Sequence, residues 1–144
     1  MRHIFNNLTY YTIIYMNKIL VEVSIGELLD KISILEIKQE KIKDAEKLKY
    51  IHDEYKVLKE QLSINVKSDD KLNELFRSLK EINSKLWMIE DDKRMCEKNS
   101  DFSEKFIKLS RDVHFLNDDR AKIKLQINDH TGSKIKEIKE YTKY

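Results

Sequence analysis

Proline is missing from this chain altogether, and Gly26 and Gly132 are its only glycines. A sheet-rich domain of 144 residues needs turn glycines and prolines at several places. Their scarcity excludes that class and favours helices, whose interiors exclude the same two residues. Cysteine is reduced to Cys96. No internal disulfide can form, and the expected setting is reducing and cytoplasmic. No histidine stands at a diagnostic spacing from Cys96, so it reads as a helix thiol rather than a nucleophile. A surplus of one charge is also lacking. Twenty-eight basic and 26 acidic side chains leave a net charge of +2. A nucleic-acid binder usually shows a clustered basic face, so nucleic acid is not an expected partner. No apolar run is long enough to cross a bilayer, so no membrane partner is expected either.

Metal-binding signatures are missing too. The chain has no Glu-x-x-His pair of the di-iron bundle type. The doublets Asp91-Asp92 and Asp118-Asp119 point successive side chains about 100° apart on a helix, so neither converges on one ion. His114 and Asp118, four apart, could converge but lack further ligands. We therefore expect no metal and no other cofactor.

What is present is charge and aliphatic side chains in helical order. Charged residues make up 38% of the chain. Lys, Glu, Leu and Ile dominate, as in long helices with one apolar stripe. The length fits one domain that buries roughly two-thirds of its unfolded surface. Residues 1–15 differ. Ile4, Phe5, Leu8, Tyr10, Tyr11, Ile13, Ile14 and Tyr15 make an apolar stretch with no small-residue cleavage site. The expectation is an over-long start or disordered extension, with Met16 as the native start and one helical domain over 16–144.

Residues 18–23 are β-branched and short, and predict a strand or extended lead-in. Ser24-Ile25-Gly26-Glu27 fits a capping box, in which the Ser hydroxyl and Glu carboxylate each take an orphan amide. The first helix then carries Leu28, Ile32, Leu35 and Ile42 on one stripe, with Gln39 its polar member. Leu29, Ile34 and Ile37 widen that stripe beyond what one partner covers. Asp44 can cap a second helix with stripe Leu48, Ile51, Tyr55, Leu58 and Leu62, although one kinked helix is also compatible. Residues 63–70 predict a loop.

The third helix carries Leu72, Leu75, Leu79, Ile82, Leu86 and Ile89. Asn99-Ser100-Asp101 breaks it, and Asp101 with Glu104 can cap the fourth. There the stripe is Phe102, Phe106, Leu109, Val113, Leu116, Ile123 and Ile127. Gly132 stands where a left-handed C-terminal cap belongs. Residues 133–144 predict a last turn or an extended tail. The expected architecture is all-α: an antiparallel bundle of three to four amphipathic helices with a long hairpin over about 70–131.

Three stretches carry a resemblance: EVSIGELLDKISILEIK at 22–38, LWMIEDDKR at 86–94 and FIKLSRDVHFLNDDRAKIKLQIN at 106–128. With the late Gly132-Ser133, their order and spacing resemble the bacterial domain-of-unknown-function family 6165 over about residues 21–141. The family pattern has proline where Ile25 stands, a position that suits proline. It has tyrosine where His114 stands, which weakens any special role for that histidine. The resemblance implies a helical fold and no activity.

A few polar residues break the stripes. Arg120 interrupts the seam of helix four between Leu116 and Ile123, and Glu90 interrupts that of helix three. A buried guanidinium without a partner costs several kcal/mol. Glu90 and Arg120 lie about 15 Å out of register along the hairpin. Arg94 is therefore the expected partner of Glu90. Arg120 is expected to meet Glu36 or Glu27 of helix one, or a second subunit. These acids are the buried ion-pair candidates. An anion site is the competing reading. Arg120, Lys124 and Asn117 share one side of helix four, Arg94 and Arg111 are further candidates, and guanidinium forks bind carboxylate or phosphate. Trp87 lies off the main seam, on the Arg94 side.

Heptad spacing and the surplus apolar face of helix one together predict a non-catalytic interaction or scaffolding protein. Its expected partner is another protein or a second copy of itself. The alternative is a helical enzyme or sensor for a small anion, with Arg120 at the site.

Overall fold

The computed structural model describes residues 19–140 and 142. The expectation of an over-long start over residues 1–15, with Met16 as the native start, lies outside the described residues. Four helices follow in order: α1 (Ile25–Lys41), α2 (Ala45–Asn65), α3 (Asp70–Lys98) and α4 (Glu104–Thr131). The described residues form no strand, so the expected lead-in strand before Ser24 is absent among them. None of these helices is long and apolar enough to cross a membrane.

Each boundary has a local cause. Ser24 sits in the extended region, and its hydroxyl accepts the Glu27 amide at 3.1 Å. The capping box is half formed, because the Glu27 carboxylate turns instead to Lys124. Helices one and two are separate elements, for Ile42 is extended and the Asp44 side chain caps α2 at the Lys47 amide. The predicted loop over 63–70 is shorter than expected: α2 runs to Asn65, and Asp69 caps α3 at the Leu72 amide. Ser100 takes a left-handed φ of 52° after α3, and Gly132 a φ of 65° after α4. The predicted Asp101 cap is corrected. Ser103 holds the N-cap position, while the Asp101 carboxylate accepts the Ser103 amide.

The helices pack as two hairpins. Tyr55 Oη donates to Glu36 at 3.2 Å, and Leu29 meets Leu62 seven residues back along α1 and seven on along α2, so α1 and α2 run antiparallel. Asp69 meets His130, and Asn83 meets Arg120, so α3 and α4 do the same. The central core joins Leu29 and Ile32 of α1, Leu72, Leu75 and Leu79 of α3, and Ile127 of α4. Tyr55, Leu58 and Leu62 of α2 close it from outside. The broad apolar face of α1 is thus covered by its own chain, because α1 packs against all three other helices.

The α3–α4 hairpin is unevenly covered. Its 29- and 28-residue helices are about 43 Å long, against about 26 Å for α1. Most of its buried side chains lie in one half: Leu72 to Leu86 on α3, and Lys124, Ile127 and Asn128 on α4. In the outer half Met88, Met95, Phe102 and Ile107 are all at least 50% exposed.

Candidate functional site

Two polar groups interrupt the packing of α1 against the hairpin. The first surrounds the N-terminus of α1. The orphan amides of Ile25, Gly26 and Glu27 are each answered by a side chain. Ile25 N–H donates to Ser133 Oγ at 3.2 Å, and Gly26 N–H donates to Asn128 Oδ1 at 2.7 Å. Ser133 Oγ donates in turn to the Ile135 carbonyl. α1 approaches α4 so closely here that a Cβ on Gly26 would lie 2.6 Å from the Lys124 carbonyl oxygen. That contact requires glycine.

Lys124, whose side chain is 8% exposed, sits beside this junction among three carboxylates. Its Nζ lies 2.5 Å from Glu27, 3.1 Å from Glu137 of the tail and 3.7 Å from buried Asp30. Burial pulls the Lys124 pKa down, but the hydrogen bonds it donates to Glu27 and Glu137 and the charge of Asp30 outweigh it, so the net shift is upward. For Glu137 burial acts upward, and the Lys124 hydrogen bond carries the net shift below the ordinary carboxylate value. Asp30 continues the network inward. Its Oδ1 accepts Asn83 Nδ2 at 2.7 Å, and the same nitrogen donates to Ser33 Oγ at 2.8 Å. This cluster ties α1, α3, α4 and the tail together.

The second group lines an open cleft of about 290 Å³ between α1, α3 and α4. Ile34 and Ile37 form one wall, and Trp87, Glu90 and Arg94 follow one another along α3. Arg120 reaches in from α4, with its Nη1 3.4 Å from Asn83 Oδ1. The Asn83 amide is oriented by its two donated bonds, so its oxygen faces the guanidinium.

Several expectations are corrected. Arg120 meets Asn83, not Glu27 or Glu36. Glu27 belongs to Lys124, while Glu36, half-buried, pairs with Lys80 at 2.9 Å. Glu90 is exposed and approaches Lys93 at 3.8 Å rather than Arg94, so it is not a buried ion-pair member. The five anion candidates do not converge. Arg94 and Arg120 share the cleft. Lys124 is held by carboxylates, Arg111 stacks over the Phe115 ring at 6.0 Å, and Asn117 lines neither group. Helical periodicity placed Arg120 and Lys124 on one side, but they turn to different neighbours.

Asp30, Ser33, Asn83, Asn128 and Ser133 received no site role from the sequence alone, although all are buried. Asn83 carried only a weak signal, standing four after Leu79 and three before Leu86 but beside Ile82, at the edge of the seam. Among the described residues no three His, Cys, Asp or Glu side chains gather as a metal site.

No curated protein and no solved structure matches this chain. A family model does, over residues 19–144, and the chain therefore belongs to the family of unknown function DUF6165.

Proposed function

We propose that this chain is a non-catalytic helical interaction module that pairs with a second copy of itself through the outer half of the α3–α4 hairpin. The observation carrying the reading is the uneven cover of that hairpin. α1 and α2 bury its base, while apolar side chains remain in solvent beyond Leu86. Met88 is 53% exposed in a groove between α3 and α4 that also holds Ile89 and Leu116. Monomeric surfaces seldom present contiguous apolar patches without an interaction to make.

The charges beside this groove favour a like partner. Lys85 stands three residues before Met88 on α3, and Asp92 four residues after it. A two-fold axis through Met88 would set Lys85 of each copy against Asp92 of the other, as an isologous interface requires. Such rim charges fix register more than they add affinity. The single, buried Cys96 fits a reducing, cytoplasmic setting for this pairing.

A charge swap tests the geometry. Asp92→Lys should shift the protein toward monomer by light scattering with its helicity unchanged. Adding Lys85→Glu in the same chain should restore the dimer. If Asp92→Lys has the parent's mass, or if the double variant remains monomeric, this pairing is wrong.

A further inference from the structure

The cleft beside Arg120 uses none of the residues invoked for self-pairing. We propose that it binds a small organic carboxylate with a flat apolar body, seating the carboxylate on Arg120 and the body against Trp87. Arg120 is half-buried, yet its one hydrogen bond among the described residues is the long contact to Asn83 Oδ1. A guanidinium offers five donors in a fixed fork that matches a carboxylate. No carboxylate lies within ion-pair distance of it among the described residues, whereas Lys124, one turn along α4, has three. Asn83 positions the fork and leaves the remaining donors for a ligand.

The cleft also limits what enters. At about 290 Å³ it stands at the low end of ligand-site volumes. Its charged lining is Arg94 and Arg120 against Glu90 and Asp91, which balances formally. A single negative charge suits the Arg120 end, while a polyanion such as a phosphate would also meet the two acids. Trp87 supplies a broad apolar surface between the charged ends.

Trp87 is the chain's only tryptophan, so its fluorescence reports on this cleft. The probes are benzoate, its neutral isostere benzamide, and inorganic phosphate, added to the full chain and followed by fluorescence and calorimetry. Benzoate should give a saturable signal. Benzamide should bind at least about tenfold more weakly, the value of one charge-assisted hydrogen bond. Phosphate should produce none. Arg120→Lys keeps the charge but loses the fork, and should weaken benzoate binding about fivefold or more. The benzoate–benzamide comparison needs no variant, so it stands even if Arg120→Lys misfolds. The proposal is overturned by the absence of saturable benzoate binding, by equal affinity for benzamide, by phosphate binding as tightly as benzoate, or by a folded Arg120→Lys that binds benzoate as the parent does.

Discussion

At the scale of single residues, Lys124 has the most consequence for stability. It brings one positive charge to a place where Asp30 is buried and Glu27 and Glu137 converge. Removing one partner of a buried ion cluster leaves the others uncompensated. Lys124→Ala should therefore cost about 3–5 kcal/mol in urea unfolding; a loss below about 1 kcal/mol would show that water screens the cluster. The sign of the pH effect follows from the raised Lys124 pKa. Its contribution is complete below the ordinary lysine value and is lost as pH rises through the raised one. Little of this was legible in the sequence. Lys124 was visible as a neighbour of Arg120, but two of its carboxylates come from α1, near the other end of the chain, and nothing local identifies them. Gly26 likewise looked like an ordinary first-turn residue, and its need for glycine exists only because α4 passes beside it. Asn83 was readable only as a polar residue at the edge of the seam, next to Ile82.

At the scale of elements, the helices were largely readable because their starts and stops are local chemistry. Ser24, Asp44 and Asp69 each accept the amide three residues on, and Gly132 takes the left-handed turn after α4. The start of α4 was less distinct, because Asp101 and Ser103 are both good cap residues and spacing does not choose between them. Asp69 does more than cap. Its carboxylate also lies 2.9 Å from His130 Nε2, joining the first turn of α3 to the last of α4. The Leu72 amide first, and His130 second, hold its pKa below the ordinary value. A depressed carboxylate stabilises the fold above its unfolded pKa, and that contribution is lost as pH falls through the folded value. Asp69→Ala should thus lower the melting temperature by a few degrees near neutral pH. The gap to the parent should narrow in melts taken below about pH 4. A constant gap across that range would mean the charge of Asp69 does not matter.

At the scale of the whole molecule, the expectation of self-association outlived one of its two arguments. The surplus apolar face of helix one is accounted for within the chain, since α2, α3 and α4 enclose it. The heptad spacing along α3 and α4 is the argument that remains. It continues past the point where α1 and α2 stop covering the hairpin, where Phe102 on the stripe is 56% exposed and Met88, Met95 and Ile107, off the stripe, also stand in solvent. Periodicity reveals that a stripe exists but not which part of it the chain's own helices reach, so the location of the open surface was not legible. Sedimentation equilibrium of the parent protein over a wide concentration range tests the central claim most directly. The account predicts a species at twice the 17.3 kDa chain mass, dissociating on dilution. A mass that stays at one chain up to high concentration would contradict it.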